Sequence, residues 1–247
     1  MDVVILAGGR CAPDLAEAAG TEHRAMLPVG GRPMVEIVLA AVAHLGDPVV
    51  VGGPEGLAKR QVEGGRSFIE SLGRGLGEVQ TENFLLVTAD LPFLTREGVD
   101  DFIARSDPSL LLNYPIVDVK VAEAAYPGMK RTAIKLREGR FTGGNVALMK
   151  TAAMRKALPI MEQAYAVRKK PFKLASMIGV RTLFRVVAGQ VLPRTLTISV
   201  LEKAIAKFLG GPVRAVVTPF PEIGADIDTL EQWRAVSGAS TRGRVDA

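Results

Sequence analysis

The amino-acid sequence predicts an α/β protein built around a mostly parallel sheet. Apolar runs and helical patterns alternate through the first part of the chain, which is the pattern of successive βαβ units. Hydrophobic residues make up 48% of the 247 residues and charged residues make up 23%, as in an ordinary folded protein. A chain of this length forms one large domain or two small ones, and the pattern requires no second domain.

The first half of the chain predicts the order β-α-β-α-β, followed by one more helix and strand. Pro33 stands at a favourable first position for the first helix, and Thr95 has the side chain of an N-cap for the third. The predicted apolar face of the second helix consists of Phe68, Ile69, Leu72 and Leu76. The predicted strands span residues 3–7, 48–51, 83–90 and 109–117, and the first two predicted helices span residues 33–45 and 66–76.

The second half of the chain has a different pattern. Residues 131–149 predict two strands joined at Glu138-Gly139, with a second turn at Gly143-Gly144. Residues 151–211 have a mainly helical pattern, which we interpret as a helical insertion. The remaining predictions are a strand over 213–220, a short helix over 229–235, a flexible polar tail over 237–247 and a single domain over 1–236.

The composition argues against several classes of protein. A single cysteine, Cys11, permits no internal disulfide, and two histidines without neighbouring cysteines provide no zinc cluster. The N-terminus has no basic segment before its apolar run, and no stretch reaches about 18 uninterrupted apolar residues. We therefore expect neither a signal peptide nor stable membrane insertion, and we expect a cytoplasmic protein.

A net charge of +5 raises the question of an anionic partner. Aromatic residues make up only 5% of the chain and no RNA-binding motif or long basic run is present, so we do not expect nucleic acid. The short basic segment "RKKPFK", residues 168–173, is typical of a solvated face. The alternative is that this segment contacts a phosphorylated acceptor or an anionic membrane surface.

A glycine elbow with nearby arginines follows the first predicted strand. Gly8 and Gly9 let backbone N–H groups approach an anion closely, and Arg10 and Arg24 carry forked donors that neutralise phosphate charge. The segment has neither the Gly-Lys-Ser/Thr of a Walker loop nor the G-x-G-x-x-G of a dinucleotide-binding turn. The pattern favours a bound polyphosphate, and the alternative is an ordinary turn beside a solvated loop.

Three aspartates predict a magnesium site. Asp90 ends a buried strand, where a carboxylate is poorly placed for packing but well placed to hold Mg²⁺ against a phosphate. Asp226 and Asp228 project to the same side if their segment is extended, and with Asp90 they would complete the site. The alternatives are a capping role for Asp90 in the following turn, and an N-cap role for Asp228 or Thr229 before the last helix.

Five segments in order resemble the nucleotidyltransferase superfamily that includes molybdenum cofactor guanylyltransferase-like (MobA-like) enzymes. These segments are "LAGG", "RAMLPVGGRPMVE", "GGRSFIESLGRGL", "TADLPFLT" and "GADIDTLEQW", and they extend over nearly the whole chain. The resemblance implies a Rossmann-like three-layer α/β/α nucleotidyltransferase fold with a mostly parallel central sheet, here with a helical insertion. It also implies an enzyme that binds an NTP and Mg²⁺ and attaches the NMP to a small phosphorylated acceptor with release of pyrophosphate.

The resemblance also implies roles for particular residues. The nucleotide would be wrapped by Leu6, Ala7, Gly8, Gly9 and Arg10. Arg24 stands where the family has a phosphate-binding lysine, and Ser67 stands where relatives contact the base or ribose. Asp90 matches the metal-binding aspartate, Asp226 or Asp228 matches the second metal ligand, and Asn145 falls on the acceptor side. The implied catalytic residues are Arg10, Arg24 and Asp90.

This chain departs from the family pattern at two expected lysines, which are Arg24 and Arg32 here. Arginine keeps the charge of lysine but not its compact geometry, so the resemblance supports nucleotide binding more directly than catalysis. The alternative reading is a non-catalytic nucleotide-binding or regulatory protein of the same fold. The expected partners are an NTP and a small-molecule acceptor, with the chain acting as a monomer or a homodimer.

Overall fold

A computed structural model describes residues 1–129, 132–166 and 196–239, which contain eleven strands and eight α-helices. The strands are β1 Asp2–Leu6, β2 Pro28–Val29, β3 Arg32–Pro33, β4 Val49–Val51, β5 Arg60–Val62, β6 Asn83–Thr88, β7 Leu112–Asp118, β8 Ala133–Leu136, β9 Gly139–Gly143, β10 Val146–Lys150 and β11 Val213–Val217. The helices are α1 Pro13–Ala19, α2 Met34–Val42, α3 Phe68–Gly77, α4 Arg96–Arg105, α5 Val119–Ala125, α6 Thr151–Ala166, α7 Ile198–Leu209 and α8 Leu230–Ala239.

Nine of the strands form one sheet in the order β5-β4-β1-β6-β10-β7-β9-β8, with β11 paired to β7. β1 lies between β4 and β6 and runs parallel to both. Only β9 and β10, among the sheet strands in the described ranges, run opposite to the others. The prediction of a mostly parallel sheet is therefore confirmed.

Helices cover both faces of the sheet and give three layers. On one face, the core contains Val38 of α2 and Phe102 of α4, which pack with Ile5 of β1. On the other face, Leu72 of α3 and Met154 of α6 pack with the intervening strands. These side chains are buried, and the burial of apolar surface on both faces is the main stabilising contribution to such a fold. The predicted three-layer α/β/α fold is confirmed.

A third apolar cluster lies beyond the sheet and joins α1, the β2–β3 hairpin and α8. It contains Leu15 of α1, Leu27, and Ile227 from the segment before α8. The Trp233 indole N–H donates to the Pro28 carbonyl oxygen at 3.0 Å and fixes α8 to the hairpin. This cluster brings the segment after the glycine elbow and the C-terminal acidic segment together.

Most of the predicted elements are present, including the strands on both sides of Glu138-Gly139 and Gly143-Gly144. Thr95 caps α4, since its Oγ1 atom accepts from the Gly98 N–H at 3.0 Å. The sequence pattern did not predict α1, α5, β5 or the β2–β3 hairpin. These elements are short, and β5 has a half-buried polar sequence, so none carries a clear apolar period.

The predicted apolar face of α3 is wrong in one residue. Ile69, Leu72 and Leu76 are buried, as predicted, but Phe68 is 46% exposed. Phe68 is the first residue of α3, and at this position its side chain faces the open edge of the sheet rather than the core. An apolar residue in a helical pattern need not be buried at the helix end, because the layer above the sheet ends there.

The predicted insertion, residues 151–211, begins and ends within the layers of the fold. α6 follows β10 directly and packs on α3, and α7 leads into β11. The basic segment 168–173 lies outside the described residues. α8 continues to Ala239, beyond the predicted end of the last helix, and the rest of the expected tail lies outside the described residues. No helix in the described ranges is long and apolar enough to cross a membrane.

Candidate functional site

The carboxyl ends of β1 and β6 lie side by side at one edge of the sheet, because these strands are parallel neighbours. A cavity of about 360 Å³ opens there, and its walls include the loops after both strands and the first turn of α3. Ligands of α/β proteins bind at the carboxyl ends of parallel strands, and the volume lies in the range of small-molecule sites. This cavity is therefore the candidate ligand site.

The glycine elbow follows β1 after Ala7 and forms one wall of the cavity. The Ala7 N–H donates to the Val51 carbonyl oxygen at 2.8 Å, whereas the N–H groups of Gly8 and Gly9 donate to no described residue. Gly52 packs against the elbow with a φ of 75°, and a Cβ atom there would lie 2.8 Å from the Gly8 Cα atom. Close backbone packing therefore fixes an elbow that leaves two amide donors for a ligand.

Asp90, Asp226 and Asp228 come together beside the cavity, as the sequence predicted. Each offers one carboxylate oxygen, and these three atoms lie within 4.8 Å of one another. Asp90 follows β6, and its backbone oxygen accepts from the Ile227 N–H at 3.3 Å, which holds the two acidic segments together. The Oδ1 atom of Asp90 is buried and has no partner in the described part of the chain. An unpaired oxygen beside two further carboxylates fits a hard cation such as Mg²⁺.

Burial raises the pKa of the Asp226 carboxyl to about 6, and the charges of Asp90 and Asp228 act in the same direction. A group of three carboxylates this close favours either protonation or a positively charged partner, because the like charges repel. The site therefore requires positive charge near neutral pH, and Arg24 supplies it from within the chain.

Arg24 lies between the glycine elbow and the acidic cluster. Its Nη1 atom pairs with Asp90 Oδ2 at 3.3 Å and forms a second close ion pair with Asp228. Its Nη2 atom donates to the Arg10 carbonyl oxygen at 3.3 Å. The Nε atom is buried and has no partner among the described residues. The guanidinium thus holds two of the three carboxylates and leaves its buried Nε donor unused.

The backbone around Arg24 and Asp228 is fixed on both sides. The Arg24 N–H donates to the Gly9 carbonyl oxygen at 3.0 Å, which ties it to the elbow. Thr229 Oγ1 accepts from the Gln232 N–H at 3.2 Å and acts as the cap of α8. Of the two residues considered for this cap, Thr229 supplies it, and the Asp228 carboxylate is directed to Arg24 instead.

The first turn of α3 forms the opposite wall of the cavity. Ser67 caps the helix, since its Oγ atom accepts from the Glu70 N–H at 3.1 Å. Ser67 and the exposed ring of Phe68 both line the cavity, together with Tyr165 near the end of α6. A helix N-terminus carries partial positive charge and attracts anions. This wall therefore combines an anion-attracting helix end with two aromatic rings.

Two predicted nucleotide-binding residues, Arg10 and Asn145, lie apart from the cavity. The Arg10 side chain is 61% exposed and pairs with Glu22 at 2.9 Å. Asn145 stands before β10, where its carbonyl oxygen accepts from the Thr88 N–H and its N–H donates to the Ile223 carbonyl oxygen. Neither residue lines the cavity. Of the predicted nucleotide-binding residues, those that line it are Leu6, Ala7, Gly8, Gly9, Arg24, Ser67 and Asp90.

Several residues that line the cavity are not among the predicted site residues. Thr88 is the polar end of β6 and has a buried, unpaired Oγ1 atom within the described ranges, so its position beside Asp90 was a usable signal. Arg66 and Ser71 flank Ser67 in the same segment. Tyr165 is far from these residues in sequence, and only the packing of α6 against α3 brings it to the cavity.

This chain is similar to known proteins both in sequence and in fold. A family model described as the MobA-like NTP transferase domain matches residues 3–127. A solved structure from Thermus thermophilus, described as a hypothetical transferase, is 37% identical to this chain. It has a TM-score of 0.84 and the match covers 94% of this chain and 98% of the other. No curated protein matches the chain.

Two more distant structures share the fold. A 2-C-methyl-D-erythritol 4-phosphate cytidylyltransferase, also from Thermus thermophilus, is 20% identical, with a TM-score of 0.55, and the match covers 97% of this chain and 98% of that chain. A nucleotidyl transferase from Methanothermobacter thermautotroptrophicus is 17% identical with the same TM-score, and the match covers 98% and 97% respectively. At this level of identity, the similarity extends to the fold alone.

Proposed function

The chain belongs to the MobA-like NTP transferase family and is a nucleotidyltransferase, and on that premise we propose that it transfers the NMP of an NTP to a small phosphorylated acceptor and releases pyrophosphate. One observation carries the proposal: backbone amides, Arg24 and Asp90 line one cavity, and Asp226 and Asp228 lie beside Asp90. Polyphosphates and divalent cations are the ligands that such a combination binds.

We expect the triphosphate to lie over the glycine elbow. The Gly8 and Gly9 amides supply donors that require no rearrangement, and Arg24 supplies a forked cation beside them. The N-terminus of α3 adds partial positive charge from the opposite wall. We do not include Arg10 among the proposed phosphate ligands, because its side chain is paired with Glu22 outside the cavity.

Asp90, Asp226 and Asp228 are the residues that would hold Mg²⁺, since their oxygens meet beside the predicted phosphate position. When bound, Mg²⁺ would offset phosphate charge and help to orient the α-phosphate. The chain itself contributes the rigid placement of these carboxylates, through the hydrogen bond between Ile227 and Asp90 and through the cap of α8 at Thr229.

The nucleoside end of the NTP fits best toward α3. Ser67 is the residue that the family resemblance associates with the base or ribose, and the exposed ring of Phe68 adjoins it. An aromatic ring at this position provides a surface on which a nucleobase stacks, independent of base identity. We place the acceptor on the remaining open side, where the resemblance assigns Asn145.

The transfer that we propose is an in-line displacement. An acceptor oxygen forms a bond to the α-phosphorus while the bond to the bridging oxygen of pyrophosphate breaks, and the released pyrophosphate carries the additional negative charge. Arg24 is positioned to offset that charge, which develops in the transition state. The reaction requires no covalent intermediate with the chain.

Melting of the protein with each of the four NTPs and Mg²⁺ tests the nucleotide part of the proposal. A ligand that binds only the folded state at 100 times its Kd stabilises that state by about 2.7 kcal/mol. We expect one NTP to raise the melting temperature above the shifts given by the others. That NTP is then incubated with small phosphorylated acceptors, and pyrophosphate release is measured.

Asp90→Asn is the variant that separates catalysis from binding. The isosteric amide preserves the volume of the side chain, so we expect the melting temperature to change little and the rate of pyrophosphate release to fall at least about 100-fold. Wild-type rates from this variant would contradict the assignment of Asp90. A melting shift with no pyrophosphate release from any acceptor would favour the non-catalytic alternative.

A further inference from the structure

The ion pairs of Arg24 raise a question about the order of ligand binding. The same guanidinium pairs with Asp90 Oδ2 at 3.3 Å and with Asp228, two of the three residues that form the carboxylate cluster. Arg24 and Asp90 have side chains only 25% and 18% exposed, so water screens this pair weakly. In the ligand-free chain, therefore, Arg24 uses the carboxylates that a divalent cation requires.

We propose that Arg24 competes with the divalent cation for Asp90 and Asp228, and that an NTP releases both carboxylates by drawing the guanidinium onto its phosphates. The inference rests on the proposed function, since it assigns Arg24 to the triphosphate in the bound state. Its consequence is that the cation binds poorly to the chain alone and well together with the nucleotide. Arg24 thereby makes binding of the cation depend on binding of the nucleotide.

The hydrogen bonding of Arg24 supports a second arrangement of this side chain. A guanidinium has five N–H donors, and buried donors in folded proteins almost always have a hydrogen-bond partner. Arg24 Nε is buried and has no partner in the described ranges, although it lies beside the Gly9 backbone. A phosphate over the glycine elbow would meet both this donor and the free amides of Gly8 and Gly9.

The replacement of lysine by arginine matters for this competition. Nη1 of Arg24 contacts both carboxylates while Nη2 is held by the Arg10 carbonyl oxygen, whereas the ammonium of lysine is a single compact charge on a flexible stem. We therefore expect a stronger hold on Asp90 and Asp228 by arginine than by lysine. The departure of this chain from the family pattern at position 24 then affects the affinity for the cation as well as the geometry at the phosphates.

Binding of Mn²⁺ to the protein without nucleotide tests the competition directly. Mn²⁺ takes the same oxygen ligands as Mg²⁺ and is followed by electron paramagnetic resonance. Coupling between two sites typically changes affinity by about 5–150-fold, so we expect Arg24→Gln to bind Mn²⁺ at least about fivefold more tightly than the wild type. We expect Arg24→Lys to lie between them.

The same variants are then titrated with the NTP in EDTA. Here we expect weaker binding instead of tighter binding, because removing Arg24 removes a phosphate ligand. Arg24→Gln should raise the NTP Kd at least about tenfold, equivalent to about 1.4 kcal/mol. Arg105→Gln is the matched control. Arg105 also pairs with an aspartate, Asp101, at 2.7 Å, but it lies at the end of α4, so neither affinity should change.

Opposite changes in the two affinities would support the inference. If the wild type binds Mn²⁺ and an NTP but Arg24→Gln leaves Mn²⁺ affinity unchanged or weakens it, the competition is contradicted and the proposed function stands. If the wild type binds neither, the proposed function fails and the inference fails with it. Should Arg24→Gln not fold, as judged by circular dichroism, Arg24→Lys provides the same comparison, and equal Mn²⁺ affinities of this variant and the wild type would contradict the competition.

Discussion

At the scale of single residues, two aspartates of the same chain have opposite electrostatic surroundings. Burial and the nearby charges of Asp90 and Asp228 raise the pKa of Asp226 to about 6. Burial also disfavours the charged form of Asp2, but hydrogen bonds from Gln80, Arg60 and Thr81 outweigh it and lower the pKa of Asp2 to about 2. One carboxylate therefore costs stability when it ionises, and the other contributes stability.

We expect Asp226→Asn to stabilise the metal-free protein in EDTA at pH 7.5. Between about pH 3.8 and pH 6 the folded chain retains a proton on Asp226 that the unfolded chain has lost, so the free energy of unfolding falls as pH rises. The variant avoids this loss, and each 1 kcal/mol gained raises the melting temperature by about 2–4 °C in a domain of this size. The gain should vanish below about pH 4, where the wild-type carboxyl is protonated in both states.

Asp2→Asn provides a control of opposite sign. It removes a carboxylate that accepts hydrogen bonds from Gln80 N–H at 2.8 Å and Arg60 Nη1 at 3.0 Å, so the melting temperature at pH 7.5 should fall. Both variants are followed by thermal denaturation from about pH 3 to pH 8, which includes the range in which the Asp226 carboxyl is protonated in both states. An Asp226→Asn variant less stable than the wild type at pH 7.5 would contradict the proposed environment of Asp226.

At the scale of the elements, α3 serves two purposes on different parts of its surface. Leu72 and Leu76 are buried against the sheet and hold the helix in its layer. Ser67 and Phe68, at its N-terminal end, line the cavity instead. The helix therefore positions ligand-facing groups by means of apolar residues about one turn further along.

Substitutions at Phe68 and Leu72 should separate these purposes. Because Phe68 is exposed, we expect Phe68→Ala to change the free energy of unfolding by less than about 0.5 kcal/mol. Loss of a stacking surface should raise the NTP Kd about fivefold, equivalent to about 1 kcal/mol. Leu72→Ala should instead cost about 2–5 kcal/mol of stability. Urea denaturation and NTP titration measure the two effects, and a large loss of stability in Phe68→Ala would show that its ring is a core residue.

At the scale of the whole molecule, the net charge of +5 does not by itself indicate nucleic acid. We expect fluorescent oligonucleotides to bind weakly, without the steep fall of affinity between about 50 and 200 mM salt that phosphate contacts produce. Fluorescence anisotropy measures this. A steep salt dependence would contradict the expectation, and a variant neutral at Arg168, Lys169, Lys170 and Lys173 would then test whether the basic segment is responsible.

Much of the fold and part of the site were accessible from the sequence, because they depend on local pattern. The apolar run of β6 predicts a buried strand whatever its neighbours are, and Thr95 caps α4 through a contact only three residues away. Gly8, Gly9 and Asp90 lie two or three residues after the ends of β1 and β6, so their place at the edge of the sheet follows from the element order. Short elements such as α1 lack enough residues to show a period.

Only the tertiary structure decided which side chains meet. Arg24 was predicted to contact phosphate. Its ion pairs with Asp90 and Asp228 depend on the apolar cluster that joins the hairpin to α8. Tyr165 reaches the cavity because α6 packs on α3, and Phe68 faces it because the core ends at that turn. These contacts join residues distant in sequence, and their geometry is set by the strand order and the packing of layers, which no local pattern contains.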